Sequence, residues 1–104
     1  MKELNDSSVF EKEIEKGITI VDFFAVWCGP CKMLAPVLEE VSELEQYKGI
    51  NFMKVDVDKH MKLAQSFKVR GVPTIILFKD GKPISSFSGY IPKKQVLSFI
   101  DHNK

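Results

Sequence analysis

The chain holds few of the residues that decorate metal sites and disulfide scaffolds: two Cys, two His and one Trp in 104 residues. Long hydrophobic runs are missing as well. The longest stretch drawn wholly from hydrophobic residues is Phe23 to Cys28, six residues, against about 20 for a membrane span, so no crossing of a membrane is expected. Residues 1–8 have neither the apolar stretch of a secretory signal nor the Arg-rich, acid-poor character of a transit peptide, and a cytoplasmic location is expected. Charge of one sign is lacking too. A net charge of +1 and a pI near 7.7 argue against nucleic acid as the main partner, because phosphate binding needs a concentrated basic surface. Residues 1–50 carry 5 basic and 10 acidic side chains and residues 51–104 carry 10 and 4. In an interleaved α/β fold that imbalance mostly reflects which helices expose Glu and which expose Lys. Repeats, low-complexity tracts and Pro/Gly/Ser linkers are absent, so residues 1–104 read as one domain.

What is present suits a compact core. Hydrophobic residues make up 44% of the chain, eight of them Phe, and a chain of this length buries roughly 65% of its extended surface on folding, so no disulfide staple is needed. Ser8 followed by Glu11 reads as a capping box, with Val9, Phe10 and Ile14 as an apolar stripe that Gly17 ends. Ile18 to Phe24 is apolar on both faces, which suits the middle of a sheet covered on both sides. A long helix is predicted from about Pro30 to Tyr47, kinked but not ended by Pro36. Ile50–Val57 reads as a strand and Lys59–Phe67 as a short helix. Pro73–Lys79 and Ile84–Ser88 then form a hairpin about Asp80-Gly81, before a last helix from Pro92, in its first turn, to His102. A short edge strand is expected near Lys2–Leu4. Helices between strands imply right-handed parallel crossovers and the tight turn forces an antiparallel pair, giving an α/β fold with a mixed sheet.

Both cysteines lie in Cys28-Gly29-Pro30-Cys31, at the junction of a strand and the long helix. A thiol there faces unpaired amides and the positive end of the helix dipole, which favour thiolate and are expected to depress the Cys28 pKa. Cys28 is the candidate nucleophile. Cys31, one turn into the helix, is near enough to close a disulfide and is the candidate resolving thiol. Gly29 permits a compact turn and Pro30 fits the first helical turn, where no amide is missed. A purely structural disulfide is disfavoured, since so short a ring removes little unfolded-state entropy. Zinc would need two further ligands, and His60 and His102 are separated by 41 residues rather than three to five. An iron–sulfur cluster would need cysteines from a second chain.

Asp22 interrupts an apolar strand six residues before Cys28. Burial would raise its pKa and fit it to act as general acid and base for Cys31; at a sheet edge it would simply reach water. Lys54, on the neighbouring strand, is its natural partner and would oppose that rise, or would snorkel to the surface, so the sign of the net shift stays open at this point.

The block Trp27-Cys28-Gly29-Pro30-Cys31-Lys32, with Val21-Asp22-Phe23-Phe24-Ala25 before it and Arg70-Gly71-Val72-Pro73-Thr74 and Gly89 after it, resembles the thioredoxin family over nearly the whole chain. The resemblance implies a central five-stranded mixed sheet flanked by four helices and dithiol/disulfide exchange with protein substrates. Cys28 then matches the attacking thiol, Cys31 the resolving thiol, Asp22 the buried carboxylate and Lys54 its neighbour. Pro73 matches a cis-proline, although base rates alone favour trans. Trp27, Gly29, Pro30, Gly71, Val72, Pro73 and Gly89 correspond to a shallow docking surface beside an exposed thiol, with the Val72 backbone offered to an extended substrate. The resemblance also implies disulfide-containing protein substrates, a thioredoxin reductase as partner, a monomeric chain and no prosthetic group or metal. Gly29-Pro30 is the dipeptide of reducing members, which disfavours an oxidase or isomerase; a docking subunit indifferent to its dithiol is the alternative of another class. Phe24 stands where many members have Trp, and Ser88 and Tyr90 flank Gly89 where small apolar residues are common.

Overall fold

The computed structural model of the chain describes residues 1–104. Five strands, β1 (Lys2–Glu3), β2 (Ile18–Phe24), β3 (Asn51–Asp56), β4 (Thr74–Lys79) and β5 (Lys82–Ser88), alternate with four helices, α1 (Phe10–Glu13), α2 (Gly29–Ser42), α3 (Met61–Ser66) and α4 (Lys93–Asn103). The strands lie in the order β1-β3-β2-β4-β5. β1 and β2 both run parallel to β3, whereas β4 is antiparallel to β2 and to β5, so the sheet is mixed as expected.

β2 is the central strand, and its alternation splits the core in two. Val21 and Phe23 point to the face covered by α1 and α3, where Phe10, Ile14, Ala64 and Phe78 pack; Ile20 points to the face covered by α2 and α4, among Leu34, Leu38, Val41, Val96 and Ile100. Both faces of β2 are therefore apolar because both are buried. Phe10, Phe67 and Phe78 meet in tilted and edge-on pairs with centroids 5.2–5.7 Å apart. Asp80 and Gly81 both have positive φ, 50° and 86°, the geometry of a two-residue hairpin turn whose twist matches its strands. No helix is long and apolar enough to cross a membrane.

The structure corrects several expected boundaries. Ser8 does not cap the first helix: Asp6 accepts the Ser8 N–H at 2.9 Å, a 3-10 turn covers Ser7–Val9, and α1 starts only at Phe10. α2 runs unbroken through Pro36 but stops at Ser42, not Tyr47. Leu44 is extended, and a separate 3-10 turn, Glu45–Tyr47, drives the Tyr47 ring into the core. β5 begins at Lys82, two residues earlier than expected, and β4 at Thr74, one later. β3 and α3 are shorter at both ends, and Pro92 is the N-cap of α4, outside its first turn.

Candidate active site

The chain leaves β2 at Phe24, turns through Ala25, Val26 and Trp27, and enters α2 at Gly29 with Cys28 as the N-cap. The backbone of Cys28 is extended (φ −92°, ψ 116°), which aims its sulfur back at the first turn of the helix. The Cys31 N–H donates to Cys28 Sγ at 3.2 Å. An N-cap acceptor of this kind satisfies one of the orphan amides of the helix start, and a negatively charged acceptor is favoured there by the helix dipole. Cys28 and Cys31 are joined as a disulfide, with Cα atoms 5.3 Å apart.

The expected exposure of Cys28 is corrected: both cysteines are only 4% exposed. Ala25, Phe24, Val57 and Val72 pack around them, and the open surface belongs to their neighbours. Trp27 is 68% exposed, and Gly29, Pro30 and Gly71 are exposed too. Val72-Pro73 is cis, Pro73 is buried, and the Val72 carbonyl oxygen lies 3.6 Å from Cys28 Sγ. Neither the N–H nor the carbonyl of Val72 has a backbone partner. The Gly89 N–H donates to the Pro73 carbonyl at 2.9 Å, and Gly89 has φ +84°, which an L side chain adopts at a cost. By contrast, Gly29 and Gly71 have no positive φ and a Cβ on either would meet nothing within 4 Å. Their missing side chains leave the surface above the disulfide open; the fold itself does not require them.

Asp22 lies on the same sheet face as Phe24, directly across β3 from Lys54 and across β4 from Ile75. It is 2% exposed, and its Oδ1 has no hydrogen-bond partner. Burial raises its pKa to about 7 against the opposing pull of Lys54. Register brings Lys54 beside Asp22, but its ammonium rests 5.3 Å from the centroid of the Phe24 ring and makes no hydrogen bond to the carboxylate. The carboxyl is therefore influenced by a cation without being tied to it.

Asp58 belongs to the site and was not anticipated. The Trp27 Nε1–H donates to its Oδ2 at 2.9 Å, which fixes the exposed indole over the segment after β3. Asp56 in turn accepts the Asp58 N–H at 2.9 Å and holds that turn. Trp27, Val57, Val69, Arg70, Gly71 and Val72 line a groove of about 170 Å³ beside the disulfide. On the other side, the Thr74 hydroxyl donates to the Gly71 carbonyl at 2.6 Å and meets Ser88 Oγ at 3.3 Å, so Ser88 is the donor of that pair. The two histidines lie elsewhere: His60 Nε2 meets the Leu4 carbonyl and His102 is in the last turn of α4.

A family model described as thioredoxin matches residues 1–102. Thioredoxin of Staphylococcus saprophyticus is 45% identical over 95 residues, covering 90% of this chain and 89% of the relative, and that of Staphylococcus aureus is 43% identical over 93 residues, covering 88% of each. Among solved structures, Fasciola hepatica thioredoxin superposes with a TM-score of 0.88 at 34% identity over all of both chains. Plasmodium falciparum thioredoxin gives 0.89 at 32% over 98% of each. Sequence, fold and the paired cysteines agree, and the chain belongs to the thioredoxin family of thiol-disulfide oxidoreductases.

Proposed function

We propose that the chain reduces disulfides of other proteins, with Cys28 as the attacking thiol, Cys31 as the resolving thiol and Asp22 as the proton acceptor. The observation that carries this reading is the Cys28–Cys31 pair at the start of α2, with the Cys31 amide on Cys28 Sγ. In the dithiol form the Cys28 thiolate attacks one sulfur of a target disulfide, the target S–S bond breaks, and its other sulfur leaves as a thiolate. Asp22 takes the proton of Cys31, whose sulfur then attacks Cys28 Sγ and releases the target's first sulfur. Two electrons have passed to the target and the Cys28–Cys31 disulfide remains. A carboxyl with a pKa near 7 suits that transfer, since it accepts and returns a proton near neutrality. Lys54 acts as a positioning charge on Asp22.

An extended segment of the target pairs with the N–H and carbonyl of Val72, which have no backbone partner, between the Trp27 groove and the Gly89 turn, with Gly29, Pro30 and Gly71 leaving it room. The oxidised chain is recycled by a thioredoxin reductase. It acts as a monomer in the cytoplasm: its two cysteines form a single redox pair suited to a reducing compartment, and both sheet edges are guarded. β1 is two residues long, and β5 carries Lys82 and Pro83 and shifts register against β4 between Leu77 and Phe78.

Titration against defined thiol–disulfide buffers, followed by alkylation, tests the reading. The expected result is a two-electron transition at the reducing end of the range, near the value of about −270 mV known for thioredoxins, and its loss in Cys28→Ser. Cys31→Ser is expected to accumulate a mixed disulfide with a disulfide-bonded protein such as insulin. A transition near −120 mV would indicate an oxidase instead, and no transition would leave a docking role.

A further inference from the structure

Once the cysteines are paired, the exposed sulfur left on the molecule is thioether. Of the four Met residues, Met33 and Met61 are 58% and 59% exposed, Met1 is half-buried and Met53 is fully buried at the sheet. Met33 stands apart by its place in the fold. It lies three residues after Pro30 and four after Gly29 on α2, so it shares a helix face with both. Helical side chains tilt toward the N-terminus of their helix, which directs the Met33 side chain toward Gly29 and Pro30, on the face of α2 turned away from the buried Cys31. A Cβ on Gly29 would meet nothing within 4 Å, so that surface is open to a peroxide and to a docking protein alike.

We propose that Met33 is a site of oxidation by hydrogen peroxide, and that its sulfoxide weakens docking of protein disulfides while leaving the thiol chemistry intact; the second half rests on the docking surface proposed above. In the step, the thioether sulfur attacks one peroxide oxygen, the O–O bond breaks, a sulfur–oxygen bond forms and water leaves. Sulfur loses two electrons and peroxide gains them. Peroxide first closes a reduced Cys28–Cys31 pair, and this disulfide is the state in which Met33 becomes the next accessible sulfur. The change replaces a soft apolar contact by a strong polar acceptor, which a docking partner must desolvate or pair.

The test uses the full chain in a Met61→Leu background, oxidised at its disulfide and treated with hydrogen peroxide. Peptide mass mapping is expected to find Met33 sulfoxide at least tenfold faster than Met53 sulfoxide. After the treatment, kcat/KM for insulin reduction with dithiothreitol as electron donor is expected to fall about tenfold, with reduction of a small aromatic disulfide unchanged. Adding Met33→Leu abolishes the response to peroxide, whatever the starting kcat/KM of that variant, and Met33→Gln reproduces the loss without peroxide. Equal oxidation of Met33 and Met53, or full oxidation of Met33 without the selective loss on insulin, overturns the proposal while the disulfide-reductase reading stands. Failure of the untreated chain to reduce insulin faster than Cys28→Ser overturns both.

Discussion

An aspartate whose carboxyl titrates at about 7 in the folded chain and at about 3.9 when unfolded binds a proton on folding throughout the interval between. The folded state then holds more protons than the unfolded one, so stability falls as pH rises from about 4 to about 7 and levels off above. Below pH 4 both states carry the neutral acid and the penalty vanishes. Asn matches that neutral acid in shape, so Asp22→Asn is expected to equal the parent near pH 3.5 and to exceed it by roughly 4 kcal/mol at pH 8.5. Urea unfolding of the oxidised proteins at the two pH values checks this; a difference of the same size at both would refute the assignment. Asp22, Cys28 and Cys31 were legible because each breaks a local rule, a charge in an apolar strand and two thiols at a helix start, whereas Trp27, Gly71, Val72, Pro73 and Gly89 were read through the family resemblance. Asp58 breaks none. It is one more acid in a surface turn, and only the fold carries it 31 positions back to the Trp27 indole.

The end of α3 shows a motif completed with an unfavourable residue. The Val69 N–H donates to the Ala64 carbonyl at 3.0 Å and the Lys68 N–H to the Gln65 carbonyl at 2.9 Å, the paired bonds of a Schellman motif. Lys68 occupies its left-handed position with φ +60°, where glycine is at ease. Lys68→Gly relieves that strain but raises the conformational entropy of the unfolded chain, for an expected net gain of about 0.5–1 kcal/mol in denaturant unfolding. Lys68→Ala, which keeps the strain, gains nothing. No Gly or Asn marks the end of α3, yet the expected end at Phe67 falls within one residue of Ser66, and the larger miss is at its start, Met61 in place of Lys59. α2 misleads at its other end. Leu44 follows Val41 at helical spacing and both face the core, so the apolar period continues after the helix has stopped. At its start, Cys28, Gly29 and Pro30 are all strong local signals, and that end was read to within one residue.

At the scale of the molecule, the two half-cores share one strand. Val21 and Phe23 of β2 belong to the layer under α1 and α3, and Ile20 belongs to the layer under α2 and α4. Loss of either layer would expose one full face of the central strand, and a domain of this size has only about 5–15 kcal/mol of total stability to absorb it. Neither layer should therefore melt alone. Trp27 is the one Trp and reports on the site through its bond to Asp58, far-UV circular dichroism reports on helices and sheet, and the two are expected to change in one coincident transition. Phe10→Ala empties a fully buried position in one layer and Leu38→Ala does so in the other. Each is expected to cost about 2–5 kcal/mol and to move both signals by the same amount. If Phe10→Ala instead shifts the circular dichroism while the Trp27 signal holds its midpoint, the α1/α3 layer unfolds as a separate unit and the disulfide end of the sheet is supported by α2 and α4 alone.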